Sequence, residues 1–154
     1  MSQFKYLCIP FNELTNSQLY QILALRSEVF VVEQACIYQD IDEKDRQAGV
    51  HHLLLLKKDK LIGYARLLPP KISYPDPSIG RIVIAPGARG EGLGKLLIKA
   101  SINHTQKLWP ALPITIGAQS HLSLLYQSFG FKEISPHYDE DGIMHVDMQL
   151  APVN

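Results

Sequence analysis

One short segment of the sequence carries residue types that suit the binding of a phosphate group. Between an apolar run and a helical pattern, residues 82–95 read Ile-Val-Ile-Ala-Pro-Gly-Ala-Arg-Gly-Glu-Gly-Leu-Gly-Lys. Glycines in such a turn let the backbone bend sharply and approach a ligand closely. The free N–H groups at the start of the following helix would face that ligand with the positive end of the helix dipole. The segment therefore predicts an anion site, with Arg89 and Lys95 adding charge beside it.

Three phosphate-binding motifs can be compared with this turn. A Walker A loop requires glycine at position 89 and serine or threonine at position 96, where the sequence has arginine and leucine. The dinucleotide fingerprint GxGxxG lacks its third glycine. The pattern Arg-x-x-Gly-x-Gly fits Arg89, Gly92 and Gly94, after a predicted strand and before a predicted helix. A glycine-rich turn without any ligand is the alternative interpretation.

A second motif lies downstream, in residues 119–131. It has Leu125 followed by Tyr126, and Gly130 followed by Phe131. Together with the glycine turn, this segment resembles the paired motifs of the GNAT superfamily of N-acetyltransferases. The sequence departs from that family by having Gln119 in place of an asparagine and leucine at position 122 in place of an alanine.

The resemblance extends beyond these two motifs to nearly the whole chain. Further segments are similar to the ElaA-like subfamily, and they are residues 30–34, 38–42, 79–81, 117–121 and 140–142, with His145. The resemblance implies a single N-acetyltransferase domain over residues 1–154. It leaves a homodimer open, because many relatives pair.

The resemblance also implies acetyl-CoA as the acetyl donor, with no metal ion. The residues expected to hold its pyrophosphate are Arg89, Gly90, Glu91, Gly92, Leu93, Gly94 and Lys95. Main-chain bonds to the pantetheine arm are expected from Ile82, Val83 and Ile84, and a further cofactor contact from Gln119. An amine of a small molecule or peptide would attack the thioester directly within a ternary complex. A non-catalytic module that binds and senses acyl-CoA is the alternative function.

Acid–base residues are also needed for this chemistry. Tyr126 matches the position of the family's general acid, which protonates the departing thiolate; the alternative is an aromatic ring that only packs on its helix. A carboxylate or histidine must take a proton from the amine. The candidates are Glu33, Glu140, His121 and His145, and no spacing argument selects one of them.

Acidic residues cluster in two predicted loops. The first group is Glu33, Asp40, Asp42, Glu43 and Asp45, and the second is Asp139, Glu140 and Asp141. One interpretation is solvated loops, and the other is a negative mouth that attracts a cationic amine. Arg26 falls on or beside an apolar helical stripe, where a charged side chain needs a partner. Either Arg26 or Arg81 could simply pair with an acid of these loops.

The elements that must position these residues can be predicted from periodicity and turn signals. Thr15 and Gln18 form a capping box before a helix over residues 16–31. Strands are predicted at 4–10, 50–57, 61–68, 79–85, 113–118, 131–134 and 143–150. Two more helices cover 93–108 and 122–129, with Gly130 as a left-handed cap and 135–142 as a loop. This order predicts an α/β (α+β) fold with a mixed, mostly antiparallel central sheet and helices on both faces.

Composition restricts the function classes further. The 154 residues are 46% hydrophobic and 19% charged, and 15 basic residues balance 15 acidic ones. Zero net charge argues against a nonspecific nucleic-acid binder. The two cysteines form no CxxC pair, and no signal peptide or membrane-spanning run is visible. We therefore expect a cytoplasmic protein without membrane or nucleic-acid partners.

Overall fold

The computed structural model describes residues 3–153, which contain three α-helices and eight strands. The helices are α1 (Asn16–Arg26), α2 (Leu93–Leu108) and α3 (Ser123–Gln127). The strands are β1 (Phe4–Pro10), β2 (His51–Lys57), β3 (Lys60–Leu68), β4 (Ser78–Ile84), β5 (Ile114–Gln119), β6 (Lys132–Glu133), β7 (Tyr138–Glu140) and β8 (Ile143–Leu150). Every predicted strand and helix has a counterpart here. Over residues 3–153, no helix is both long and apolar enough to cross a membrane.

The strands form two four-stranded sheets. The first has the order β1-β2-β3-β4, and the second has β5-β8-β6 with β7 also paired to β8. Every strand pair in the described part of the chain is antiparallel. Strands β4 and β5 begin side by side, because the amide of Thr115 donates to the carbonyl of Pro77 at 3.0 Å. No ladder joins them within residues 3–153, so the predicted central sheet is divided there.

Helices cover both faces of the first sheet. Leu53 and Leu55 of β2 belong to the buried cluster that contains Leu97 of α2. Leu54, between them, points to the opposite face and joins the cluster that contains Ile22 of α1. This alternation follows from the two-residue period of a strand. The predicted α/β (α+β) fold class with helices on both faces is confirmed, while the sheet expected to be mixed and mostly antiparallel is antiparallel in every ladder of residues 3–153.

The first helix begins as predicted and ends differently. The amide of Gln18 donates to Thr15 Oγ1 at 3.0 Å and that of Thr15 to Gln18 Oε1 at 2.9 Å, so the capping box is confirmed. Beyond α1 the chain continues as a π-helix over Ser27–Glu33. Wider π turns are rare and often occur at functional sites. The helix therefore runs two residues past its predicted end and delivers Glu33 at its last position.

The predicted loop over residues 135–142 was wrong in part. It contains β7, which pairs with β8 from Tyr138 opposite His145 to Glu140 opposite Ile143. The Tyr-Asp-Glu sequence of β7 has no apolar alternation, so periodicity could not predict this strand. A hairpin is the result, and its turn places Glu140 and Asp141 at the tip.

Candidate functional site

A cavity of about 420 Å³ lies in the cleft between β4 and β5. It exists because the facing edges of these two strands do not form a ladder. Residues lining it include Ile82, Gln119, Leu122, Tyr126, Glu140 and His145. Several residues that the sequence analysis selected from distant segments therefore meet in one cavity.

A β-bulge interrupts β4 beside this cavity. The ladder between β3 and β4 pairs Tyr64 with Val83 but Arg66 with Gly80, so β4 has one residue more than β3 between these pairs. Arg81 lies in the bulge with a φ of 52°, a left-handed conformation that is uncommon for a residue with a side chain. Bulges of this kind bend a strand and redirect its backbone groups. The edge of β4 that faces the cavity is therefore irregular at the point where a ligand would lie against it.

The three predicted strand residues of β4 have different surroundings. Ile82 lines the cavity. Val83 is buried in the cluster beneath α1. The carbonyl of Ile84 accepts a hydrogen bond from Arg89 Nε at 3.3 Å. Only Ile82 therefore presents its side chain to the cavity, and the other two can offer a ligand main-chain groups alone.

The glycine turn follows β4 and leads directly into α2. Gly90 and Gly92 have φ values of 91° and 73°, and Gly92 is the N-cap without any side-chain cap. Atoms of the described chain leave open space here, since a Cβ atom at Gly90, Gly92 or Gly94 would meet none of them within 4 Å. The first N–H groups of any helix have no acceptor within that helix. The amides of Leu93, Gly94 and Lys95 are therefore available to an anion, although the turn lies outside the cavity lining.

Arg89 and Glu33 form an ion pair with each other. Two bonds of 2.7 Å join the guanidinium to both carboxylate oxygens, and both side chains are 43% exposed. The hydrogen bonds from Arg89 hold the pKa of Glu33 below its ordinary value. A carboxylate in this state is a poor proton acceptor, and Glu33 does not line the cavity. Through these two bonds Glu33 holds the Arg89 guanidinium beside the glycine turn.

Tyr126 is fixed by the way α3 ends. The amide of Phe131 donates to the carbonyl of Tyr126 at 3.2 Å, and that of Gly130 to the carbonyl of Gln127 at 2.9 Å. With Gly130 at a φ of 100°, these bonds form a Schellman motif, which confirms the predicted glycine cap. The motif orients Tyr126 at the last turn of the helix.

The environment of the Tyr126 ring combines packing with access to the cavity. The ring meets Phe131 edge to face, with centroids 5.9 Å apart. The residue is only 7% exposed and lines the cavity. Burial raises the pKa of Tyr126 to about 12. Its hydroxyl therefore stays protonated and able to donate at any ordinary pH.

His145 and Glu140 meet at the rim formed by β7 and β8. His145 Nδ1 lies 2.8 Å from the carbonyl of Ile143, which can only accept, so Nδ1 carries the hydrogen of the neutral ring. The other nitrogen, Nε2, is 3.5 Å from Glu140 Oε2. The ring stacks on Tyr138, and both His145 and Glu140 line the cavity. In this tautomer Nε2 is free to take a proton beside a carboxylate.

His121 and Gln119, both predicted as site residues, differ in position. His121 is exposed in the short helical turn Ser120–Leu122 and is not part of the cavity lining. Gln119 ends β5 and lines the cavity, where its Nε2 donates to Gln34 Oε1 at 3.4 Å. The structure therefore brings Gln119 to the cavity and leaves His121 outside it.

A closed ring of six ion pairs lies beside the cavity. The pairing of Arg26 and Arg81 with acids was expected from the sequence, and the closure of the ring through Arg66 was not. Three arginines and three aspartates alternate in the order Arg26–Asp40–Arg81–Asp42–Arg66–Asp45 and back to Arg26, with N···O distances of 2.6 to 3.2 Å. Arg26 is fully buried. The ring ties α1, β3 and β4 to the loop that follows the π-helix.

The ring corrects both interpretations for three of the five members of the first acidic group. Asp40, Asp42 and Asp45 neither form a solvated loop nor a negative mouth, because each is bound by two arginines. Burial by itself would raise the pKa of Asp45, but the hydrogen bond and charge of Arg26 outweigh it and leave that pKa lowered. The sequence contained a signal for this ring, because Arg26 lies on or beside an apolar helical stripe and closely spaced aspartates follow it.

Known proteins resemble this chain in both sequence and fold. The family model of the acetyltransferase (GNAT) domain matches residues 13–152. The chain belongs to the GNAT family. Its relatives include protein ElaA of Escherichia coli K12, which is 44% identical over 137 residues, 89% of this chain and 90% of that protein.

Solved structures also resemble this GNAT chain. The crystal structure of an acyl-CoA N-acyltransferase from Pseudomonas aeruginosa has a TM-score of 0.92 at 38% identity, covering 96% of this chain and 99% of that one. The crystal structure of Escherichia coli ElaA has a TM-score of 0.89 at 40% identity, with the same coverage. The protein is thus an N-acetyltransferase of the GNAT family, and an acyl-CoA is its co-substrate. Within residues 3–153 no group of three or more acidic, histidine or cysteine side chains is arranged to hold a metal ion.

Proposed function

We propose that this GNAT chain acts as one catalytic domain that transfers the acetyl group of acetyl-CoA to a primary amine of a small molecule or peptide. The observation that carries the proposal is the cavity between β4 and β5, lined by Ile82, Tyr126 and the Glu140–His145 pair. Membership of the GNAT family favours transfer over the alternative of an acyl-CoA sensor. A cytoplasmic location and a homodimer stay predictions.

The proposed donor binds along β4 and over the glycine turn. Its pyrophosphate lies on the amides of residues 89–95, where Gly92 at the N-cap leaves the helix end uncapped. Arg89, held by Glu33, and Lys95 supply positive charge. The pantetheine arm lies along Ile82–Ile84, and Gln119 contacts the cofactor from β5. This places the thioester in the cavity, near Tyr126.

The proposed reaction is direct attack in a ternary complex. The amine nitrogen bonds to the acetyl carbon, and the carbon–sulfur bond then breaks. Tyr126 gives its phenolic proton to the departing thiolate. Before attack, His145 Nε2 takes the extra proton of the acceptor's ammonium group, and the Glu140 carboxylate stabilises the resulting imidazolium. The second proton on nitrogen passes to solvent as the amide forms. Glu33 and His121, the other candidate bases, are assigned no proton transfer, since neither lines the cavity.

The first expected result concerns the cofactor. Acetyl-CoA and CoA should each raise the melting temperature, and ATP should not. A ligand present at 100 times its Kd adds about 2.7 kcal/mol of stability. Differential scanning fluorimetry measures the shift. No response to acetyl-CoA or CoA at high concentration would contradict the proposal.

Two glycine variants test whether the rise in melting temperature with CoA comes from binding at the glycine turn. Gly94→Val should abolish it, because its side chain would project into the space beside the turn, where a Cβ atom meets no other part of the described chain within 4 Å. Gly87→Val is the matched control, since its Cβ also has open space in the described structure and lies before the turn. Loss of the response in both variants, or in neither, would argue against cofactor binding on the glycine turn.

The second expected result concerns the base. His145→Gln should lower kcat by about 10²-fold, the lower end for general acid–base catalysis. The loss should shrink as pH rises above the pKa of the acceptor amine, because the amine then arrives without its extra proton. His121→Gln, the same change outside the cavity, should leave kcat unaffected. A pH-independent loss in His145→Gln, or an equal loss in His121→Gln, would remove His145 from the base role.

A further inference from the structure

The ion-pair ring has no net charge, but its arginines and its aspartates differ in whether they line the cavity. Arg66 and Arg81 line the cavity. Among the described residues, the three aspartates of the ring do not line it; they are Asp40, Asp42 and Asp45. The ring therefore contributes arginine rather than aspartate side chains to the cavity surface, and we call this part of the lining, with Lys44, the cationic wall.

One cation on this wall has no carboxylate partner. Lys44 is half-buried and lines the cavity, and its Nζ donates to Ser73 Oγ at 2.8 Å. No carboxylate of residues 3–153 forms an ion pair with Lys44, in contrast to the arginines of the ring. Arg66 is 3% exposed, and its buried Nε has no hydrogen-bond partner in the described structure. The wall therefore carries one unneutralised cation, whereas the unsatisfied Nε of Arg66 is buried and does not reach the cavity surface.

The acidic side chains of the cavity lie on a different element. Glu140 and Asp141 at the tip of the β7–β8 hairpin line it, together with His145. The sulfhydryl of Cys36 donates to the carbonyl of Asp141 at 3.1 Å, which holds the hairpin tip to the loop after the π-helix. The cavity thus has an anionic rim, where an ammonium group would be attracted, and a separate cationic wall.

We propose that the acceptor is an amine that also carries a carboxylate, with the carboxylate bound by Lys44 on the cationic wall and the amine directed to Glu140 and His145. The inference rests on the proposed acetyl transfer. A carboxylate fits better than a phosphate dianion, because Lys44 is the one unneutralised lysine or arginine among the described residues that line the cavity. Lys44 and the Glu140–His145 pair line the same cavity from different segments of the chain, so we expect several carbon atoms between the two charged groups of the acceptor.

Three amines of equal chain length test this inference. γ-Aminobutyrate, butylamine and putrescine share a four-carbon chain and end in a carboxylate, a methyl group and an ammonium group. Thiol release from acetyl-CoA gives kcat/KM for each, and calorimetry on CoA-saturated protein gives each Kd. γ-Aminobutyrate should be preferred over both others by about tenfold or more, as a hydrogen-bonded charge contributes.

Lysine variants decide whether Lys44 causes the preference. Lys44→Gln should remove it by raising KM for γ-aminobutyrate alone, with little change in kcat. Lys58→Gln, an exposed lysine in the β2–β3 turn, should retain it. Equal or weaker use of γ-aminobutyrate, absence of its binding, or a preference that persists in Lys44→Gln would each overturn the inference. If CoA still stabilises the protein and other amines release thiol, the proposed function survives that result; without either response, both fail.

Discussion

Tyr126→Phe should lower kcat by about 10²–10⁴-fold, the range for a positioned general acid. Only the hydroxyl is lost, so the ring can keep its edge-to-face contact with Phe131. Melting temperature and the stabilisation by CoA should therefore stay near those of the wild type. Since the pKa of Tyr126 is raised to about 12, its protonation should impose no alkaline decline of kcat until pH approaches that value. Steady-state thiol release across pH measures both expectations.

Two comparisons test whether Tyr126 acts as a general acid or only packs its ring in the core. Thioesters of more acidic thiols need less help in leaving, so with them the gap between Tyr126→Phe and the wild type should narrow. Tyr20→Phe is the control, because Tyr20 is 78% exposed and does not line the cavity. Unchanged kcat in Tyr126→Phe would exclude the phenol as the proton donor, and a gap of constant size would exclude acid catalysis as its cause.

Arg26→Met should reduce the free energy of unfolding by about 3–5 kcal/mol, the usual cost of removing one partner of a buried ion pair. Arg26 is fully buried and binds Asp40 at 2.9 Å and Asp45 at 2.6 Å. Without it, the ring holds three aspartates against two arginines, and one negative charge is left uncompensated. Urea denaturation followed by circular dichroism gives the difference.

An exposed ion pair supplies the control for this variant. Arg46→Met breaks the bond to Glu43, in which the two side chains are 64% and 68% exposed, so the expected loss is about 0–1 kcal/mol. If Arg26→Met does not fold, Arg26→Lys replaces it in the comparison. Lysine keeps the charge but lacks the planar guanidinium that binds two carboxylates, so its loss of unfolding free energy should lie between those expected for Arg26→Met and Arg46→Met. Equal stability of the Arg26 and Arg46 variants would mean that the ring does not stabilise the fold.

Local sequence rules accounted for most elements of the fold. The Thr15–Gln18 capping box needs only four consecutive residues, and the left-handed cap at Gly130 needs one turn of helix. Strand β7 escaped prediction because its side chains show no burial pattern, and its pairing depends on a partner strand beyond the turn. The widening of the first helix into a π-helix likewise had no signal in the apolar periodicity.

The sequence by itself determined where the glycine turn and Tyr126 lie, because each belongs to a strand–turn–helix segment whose conformation is local. Only the tertiary structure decided what surrounds them. It separated His145, which faces the cavity, from His121, which does not. It also paired Asp45 with Arg26, which lies 19 residues earlier in the chain. Such choices depend on side-chain directions and burial after strands and helices have packed, and spacing along the chain carries no information on either.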